Sequence, residues 1–241
     1  MCQTEVPDVL YRYHKSSDWK YLFEERTIRF TPLAEFNDPF EGKPAISSNY
    51  KKKSSKPSNG FYDGLTKSHG ALCLTQNKNN ILMWSHYAEA HKGFIVEFDI
   101  ADLYSKIDGN ILYDLSPIRY QEERPCIEKD DLIEQKNHSF LTKCVLTKGT
   151  FWKYEQEWRG LISFLGRHAQ KINPIQPVGP SSIRSVIFGM SMPESDIQKR
   201  CRTLRGMDEY AHVKFQKAMM HDDKYEIIIE DITDSFWCLN Y

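Results

Sequence analysis

The residues with the most chemical potential fall in one stretch, Phe151-Trp152-Lys153-Tyr154-Glu155-Gln156-Glu157-Trp158-Arg159-Gly160-Leu161-Ile162. In an extended strand, Lys153, Glu155, Glu157 and Arg159 share one face, while Trp152, Tyr154 and Trp158 share the other. A carboxylate pair held in this way can stabilise developing positive charge and move a proton. In a helix, Tyr154, Trp158 and Leu161 form a stripe at i, i+4, i+7 and the two glutamates diverge. The following Leu161-Ile162-Ser163-Phe164 run favours a strand that starts near Trp152 or Glu155. The same four charges also suit a salt-bridged, exposed strand face with the tryptophans as core.

The elements that must position this stretch belong to an ordinary globular composition. The chain has 241 residues, 40% hydrophobic and 13% aromatic, with a formal net charge of −1. That length suits one sizeable domain, and the charge does not mark a protein that coats nucleic acid. No apolar run approaches a membrane span, and the N-terminus lacks the regions of a signal peptide, so a cytoplasmic location without membrane contact is expected. The six cysteines, at 2, 73, 126, 144, 201 and 238, are scattered without CxxC pairs and read as reduced thiols.

Taken in order, Val9–His14 reads as a strand with Tyr11 and Tyr13 facing one way and Arg12 and His14 the other. Ser17-Asp18 can cap a helix through roughly Glu25, and Thr27–Phe30 forms a second strand. Asn37-Asp38-Pro39-Phe40 makes a stiff corner that could place Asn37 or Asp38 on a pocket rim. Residues 47–60 read as a basic, polar loop. Strands are expected at 70–75, 93–99, around 118–120, 183–189, 213–215 and 225–229. Asn80 caps a helix that His91-Lys92-Gly93 closes. Residues from about 129 into the 140s form another helix, and Ser191 and Pro193 start one that stops near Gly206. His86 and His91 are five apart, the wrong spacing for one helical metal site, and no metal is expected. The fold class is α+β: a single domain over 1–241 with a mixed or antiparallel sheet core and flanking helices.

Several landmarks, in order, resemble a large bacterial family known as domain of unknown function 2971. They are Leu10-Tyr11-Arg12-Tyr13, Ile28-Arg29-Phe30-Thr31 with Phe36–Phe40, Met83-Trp84-Ser85-His86-Tyr87-Ala88 with His91-Lys92-Gly93, and Trp152–Arg159. The family name brings no activity with it. The layout also resembles ADP-ribosyltransferase-like proteins, which place an Arg or His on an early strand, a Tyr or Ser/Thr on a later one and a Glu on a third. That resemblance implies Arg12, His14, Thr31 and Tyr87 as NAD-binding candidates, with Glu157 and Glu155 as the catalytic Glu-x-Glu pair. A recognisable Ser-Thr-Ser stretch is missing.

Under this resemblance the expected activity is an NAD-dependent ADP-ribosyltransferase or NAD glycohydrolase, acting in defence or as a toxin. Breaking the nicotinamide–ribose bond builds oxocarbenium-like charge that Glu157 would stabilise. Arg12 would bind pyrophosphate and Tyr87 would stack on nicotinamide. NAD is then a substrate, and the partners are a nucleotide-like small molecule and a macromolecular acceptor. A second reading is a non-catalytic ligand- or partner-binding regulatory module. A third is a metal-dependent enzyme acting on nucleic acid through Asp38, Glu155 and Glu157.

Overall fold

The computed structural model describes residues 5–46, 66–67, 69–107, 112–127, 143–164 and 173–232. The expected loop at 47–60 and most of the expected helix beyond residue 129 lie outside the described residues. Contacts along the chain gather it into two compact units, each assembled from separated stretches. One comprises Met1–Val6, Arg29–Cys73 and Asn110–Ile175; the other comprises Pro7–Ile28, Leu74–Gly109 and Gln176–Tyr241. Helices and a mixed sheet together make the fold α+β. No helix among the described residues is long and apolar enough to cross a membrane.

The second of these, the aromatic unit, is built on β-branched and aromatic strands. Val9–His14 runs antiparallel to Phe94–Asp99, with Tyr11 opposite Glu97 and His14 opposite Phe94. Phe94–Asp99 also pairs antiparallel with Ile183–Phe188, which is parallel to Lys214–Met220, itself antiparallel to Ile227–Asp231. A parallel pair requires a crossover, and the helix Glu194–Arg205 supplies it. Its Ile197, Cys201 and Leu204 form the buried stripe at i, i+4, i+7. Glu194 and Asp196 in the first turn, and Arg202 and Arg205 in the last, complement the helix dipole. Start and stop agree with the Pro193 and Gly206 signals.

Two local expectations for this unit change. The segment after Ser16 is a 3-10 turn, Ser16–Asp18, that runs into a π-helical turn, Lys20–Glu24, with Leu22 and Phe23 buried. Arg26, at φ +53°, then turns the chain. Asn80 does cap Ile81–Tyr87, its Oδ1 accepting from the Met83 amide at 3.1 Å. The helix nevertheless ends at Tyr87, because Glu89, Ala90 and His91 adopt φ of +50°, +50° and +65° and reverse the chain. Gly93 lies just before the next strand instead of capping the helix, and a Cβ there would lie 2.0 Å from the His14 carbonyl oxygen.

The first, the charged unit, has shorter strands. Glu157–Ser163 runs antiparallel to Leu112–Pro117, with an irregularity between Arg159 and Leu161. Thr147–Gly149 is parallel to Arg119–Gln121, Ala45–Ile46 is parallel to Cys126–Ile127, and Thr31–Pro32 is antiparallel to Gly70-Ala71. Leu33, Ala71, Val145 and Leu161 form its buried apolar cluster, with Phe36, Cys73 and Leu146 packed against it. The Asn37–Phe40 corner is stiffened by Asp38, whose Oδ1 accepts from the Phe40 amide at 2.9 Å.

Candidate functional site

The stretch from Thr150 to Glu155 forms a 3-10 helix, and the strand begins only at Glu157. Between them Gln156 sits in the left-handed region, at φ 44° and ψ 48°. This corrects the expectation of one strand carrying both glutamates on one face: a single left-handed residue breaks the alternation on which that depended. The two carboxylates meet all the same, on a lysine that the pattern did not single out. Lys148 Nζ lies 2.6 Å from Glu155 Oε2 and 3.3 Å from Glu157 Oε2.

Arg159 completes the arrangement from the same strand as Glu157. Its Nε donates to Glu157 Oε1 at 2.7 Å and its Nη2 to Glu157 Oε2 at 3.1 Å. Nη2 also donates to Glu41 Oε2 at 3.1 Å, and Nη1 to Glu41 Oε1 and to the Val145 carbonyl. A guanidinium has five N–H donors, and these five acceptor contacts engage them all. The Phe36 ring covers the group at 5.0 Å. Arg159 is 0% exposed, with Glu41, Glu155, Glu157 and Lys148 also buried. The expected salt-bridged, exposed strand face is thus found only in part: Glu157 and Arg159 pair on the strand, Lys148 takes the place expected for Lys153, and the group is buried.

Burial opposes every charge here, and pairing decides the outcome. Burial would raise the Glu157 carboxyl, but Arg159 and Lys148 outweigh it and hold the group down to about 2. For Lys148 burial favours the neutral amine, and the Glu157 and Glu155 charges overcome it and raise its pKa. Lys148 is thus a fixed ammonium and not a nucleophile at neutral pH. Cys73 hydrogen-bonds to Glu157, and burial together with that carboxylate pushes the thiol well up. Tyr120 accepts from the Glu157 amide through its hydroxyl at 2.9 Å.

One face of Lys148 is the wall of a pocket of about 640 Å³, a size typical of small-molecule sites. Phe40, Phe151, Trp152, Asp38 and Arg124 line it with Lys148, so the Asn37–Phe40 corner does reach a pocket rim through Asp38. Lys148 Nζ stands 4.6 Å from the Trp152 ring centroid, and the Arg124 guanidinium 5.4 Å from that of Phe40. Phe40 is 61% exposed and Phe151 92%.

The remaining sequence candidates are distributed between the units. Arg12 is half-buried on Val9–His14, opposite Val96. His14 is buried, stacked on Phe94 at 5.1 Å, with Nδ1 3.5 Å from Asp18 Oδ2. Burial lowers its pKa to about 4, Asp18 opposing and Arg12 adding to the effect. Tyr87 is half-buried at its helix end, beside His86. These three belong to the aromatic unit, and Thr31, Glu155 and Glu157 to the charged unit. Among the described residues no three His, Cys, Asp or Glu side chains are grouped to hold a metal. Glu41 and Lys148 are the residues that sequence reasoning missed. The one available signal was an acidic residue directly after the Pro39-Phe40 corner.

Residues 83–160, which carry the Trp84-His86-Tyr87 helix and the Trp152–Arg159 stretch, match the model of a family described as protein of unknown function (DUF2971). This is the family that the ordered landmarks resemble, and the match supports it over those residues. No curated protein and no solved structure matches the chain.

Proposed function

We propose that the chain is a ligand-binding module whose ligand, a nucleotide-like small molecule with a flat ring, occupies the Phe40–Phe151–Trp152 pocket. The observation that carries this is the exposure of two large rings, Phe40 at 61% and Phe151 at 92%, at one pocket whose wall is a clamped ammonium. Isolated exposed apolar residues are common, but rings converging on a concavity with a fixed charge are the composition of a binding site. The buried network gives that wall its rigidity, since Lys148 cannot leave without taking a cation from both Glu155 and Glu157.

Thermal denaturation against a panel of nucleotides and dinucleotides, NAD and ADP-ribose included, tests this. A ligand at a hundredfold excess over Kd stabilises by about 2.7 kcal/mol, and Phe151→Ala is expected to erase the shift without altering the unliganded Tm. A shift that survives both Phe151→Ala and Phe40→Ala would place the ligand elsewhere and end this reading.

NAD-dependent ADP-ribosyl transfer or NAD hydrolysis is a second reading, favoured by one observation. The Glu-x-Glu carboxylates converge directly behind the pocket wall, on Lys148. In that reading Glu157 exchanges Lys148 for a ribose hydroxyl while Arg159 keeps it in place. Nicotinamide release by the wild type, lost in Glu157→Gln, is its signature. Binding without release leaves the module reading alone.

A further inference from the structure

We infer that the ligand's flat ring carries a positive charge, the pocket being suited to a flat organic cation. This deepens the ligand-binding reading and rests on it.

The first support is the charge inside the wall. Among the described residues of the charged unit, the buried ionic side chains are Asp38, Glu41, Glu155 and Glu157 against Lys148 and Arg159, four formal negative charges against two positive. Asp38 and Lys148 line the pocket themselves. At the mouth, Glu122 and Glu123 are offset by Lys43 and Arg124. The charged side chains of the lining are therefore balanced, and the negative surplus belongs to Glu41, Glu155 and Glu157 against Arg159 in the buried network behind it, where charge is weakly screened.

The second support is that the buried cations of this wall, Arg159 and Lys148, are already engaged by carboxylates. Arg159 has no donor left, and the Lys148 ammonium is shared by two carboxylates and covered by Trp152. Lys43 Nζ donates to the Pro39 carbonyl at 3.0 Å, and Arg124 lies on Phe40.

The third support is shape. Phe40 already holds a flat cation, the Arg124 guanidinium, 5.4 Å from its ring centroid. Phe151 presents a ring that is 92% exposed at the same pocket. Aromatic faces attract cations through the ring quadrupole, so a flat cation on Phe151 repeats a contact that the pocket already makes on Phe40. Rings supply the stacking surface and the surplus carboxylates supply the sign.

Three probes of one shape and different charge test this: benzamidinium, benzamide and benzoate, titrated into the full chain through the millimolar range and followed by calorimetry. Benzamidinium is expected to bind at least tenfold more tightly than benzamide, and benzoate more weakly than either. That preference should shrink as salt rises. Phe151→Ala should weaken benzamidinium about tenfold at unchanged Tm. Equal affinity for benzamide and benzamidinium, or tighter binding of benzoate, overturns the charge assignment and leaves the pocket reading standing. If none of the three binds, the pocket reading fails and this inference fails with it.

Discussion

The aromatic unit closes its core with rings, and the charged unit closes its own around a guanidinium. In the former, Trp19 lies 4.2 Å from Phe23, 5.4 Å from Phe94 and 6.1 Å from Phe188 by ring centroids, with Arg200 covering its face at 4.7 Å. In the latter, the largest fully buried side chain among the described residues is Arg159, held between Glu41 and Glu157. Ring packing is graded: a smaller side chain leaves a cavity that neighbours partly fill. A buried ion network is close to all-or-none, because losing one partner leaves the opposite charge bare. The two cores should therefore respond differently to substitution and to acid.

Arg159→Met should have the largest effect, about 3–5 kcal/mol of stability, since it takes the guanidinium from Glu41 and leaves Glu157 with Lys148 alone. Arg159→Lys should be nearly as damaging, because an ammonium lacks the planar fork that meets two carboxylates at once. Urea denaturation of the pair checks this; a lysine variant within about 1 kcal/mol of wild type would show that charge alone, without the fork, suffices.

Acid should separate the units next. The His14 pKa falls from 6.5 to about 4 on folding, so its contribution is complete above about 6.5 and is lost as pH falls toward 4. The size of that loss is on the order of 3 kcal/mol. The Glu157 pKa falls from 4.5 to about 2, so its contribution is complete above about 4.5 and is lost only as pH falls toward 2. Hydrogen exchange along an acid series should show the aromatic unit opening first. His14→Gln should remove the earlier window and leave the later one in place.

Smaller effects sharpen the contrast. Phe188→Leu should cost only about 1–1.5 kcal/mol, as a near-conservative change in a core of interchangeable rings. Phe151→Ala should leave stability within about 0.5 kcal/mol of wild type while abolishing ligand-induced stabilisation. A large loss of unliganded stability in this variant would make Phe151 a structural residue and not a binding one.

The same contrast separates what is legible in the sequence from what is not. Strands such as Phe94–Asp99 and the helix Glu194–Arg205 announce themselves through β-branched content, periodicity, caps and dipole-matched charges. These are local properties, and local patterns carry them. The charged core is not local. Glu41 and Arg159 are 118 positions apart, and no periodicity links them. Gln156 has no glycine to advertise its left-handed backbone, so an alternating strand was the natural expectation across it. The paired glutamates and a pocket rim at Asp38 are legible in the sequence; the lysine joining the glutamates and the arginine's second carboxylate are not.

The saturation of Arg159 also bears on how the charged unit comes together. Its acceptors come from Glu157, two residues away, from Val145, 14 away, and from Glu41, 118 away. The nearest carboxylate can be met early, and the farthest only after a long chain closure, whose entropy slows folding. A partly assembled form would hold a guanidinium with donors pointing at nothing, so burial of Arg159 has to wait for Glu41 to arrive. The residue thus acts as a checkpoint: the unit cannot dry its centre until the two ends of its chain have met.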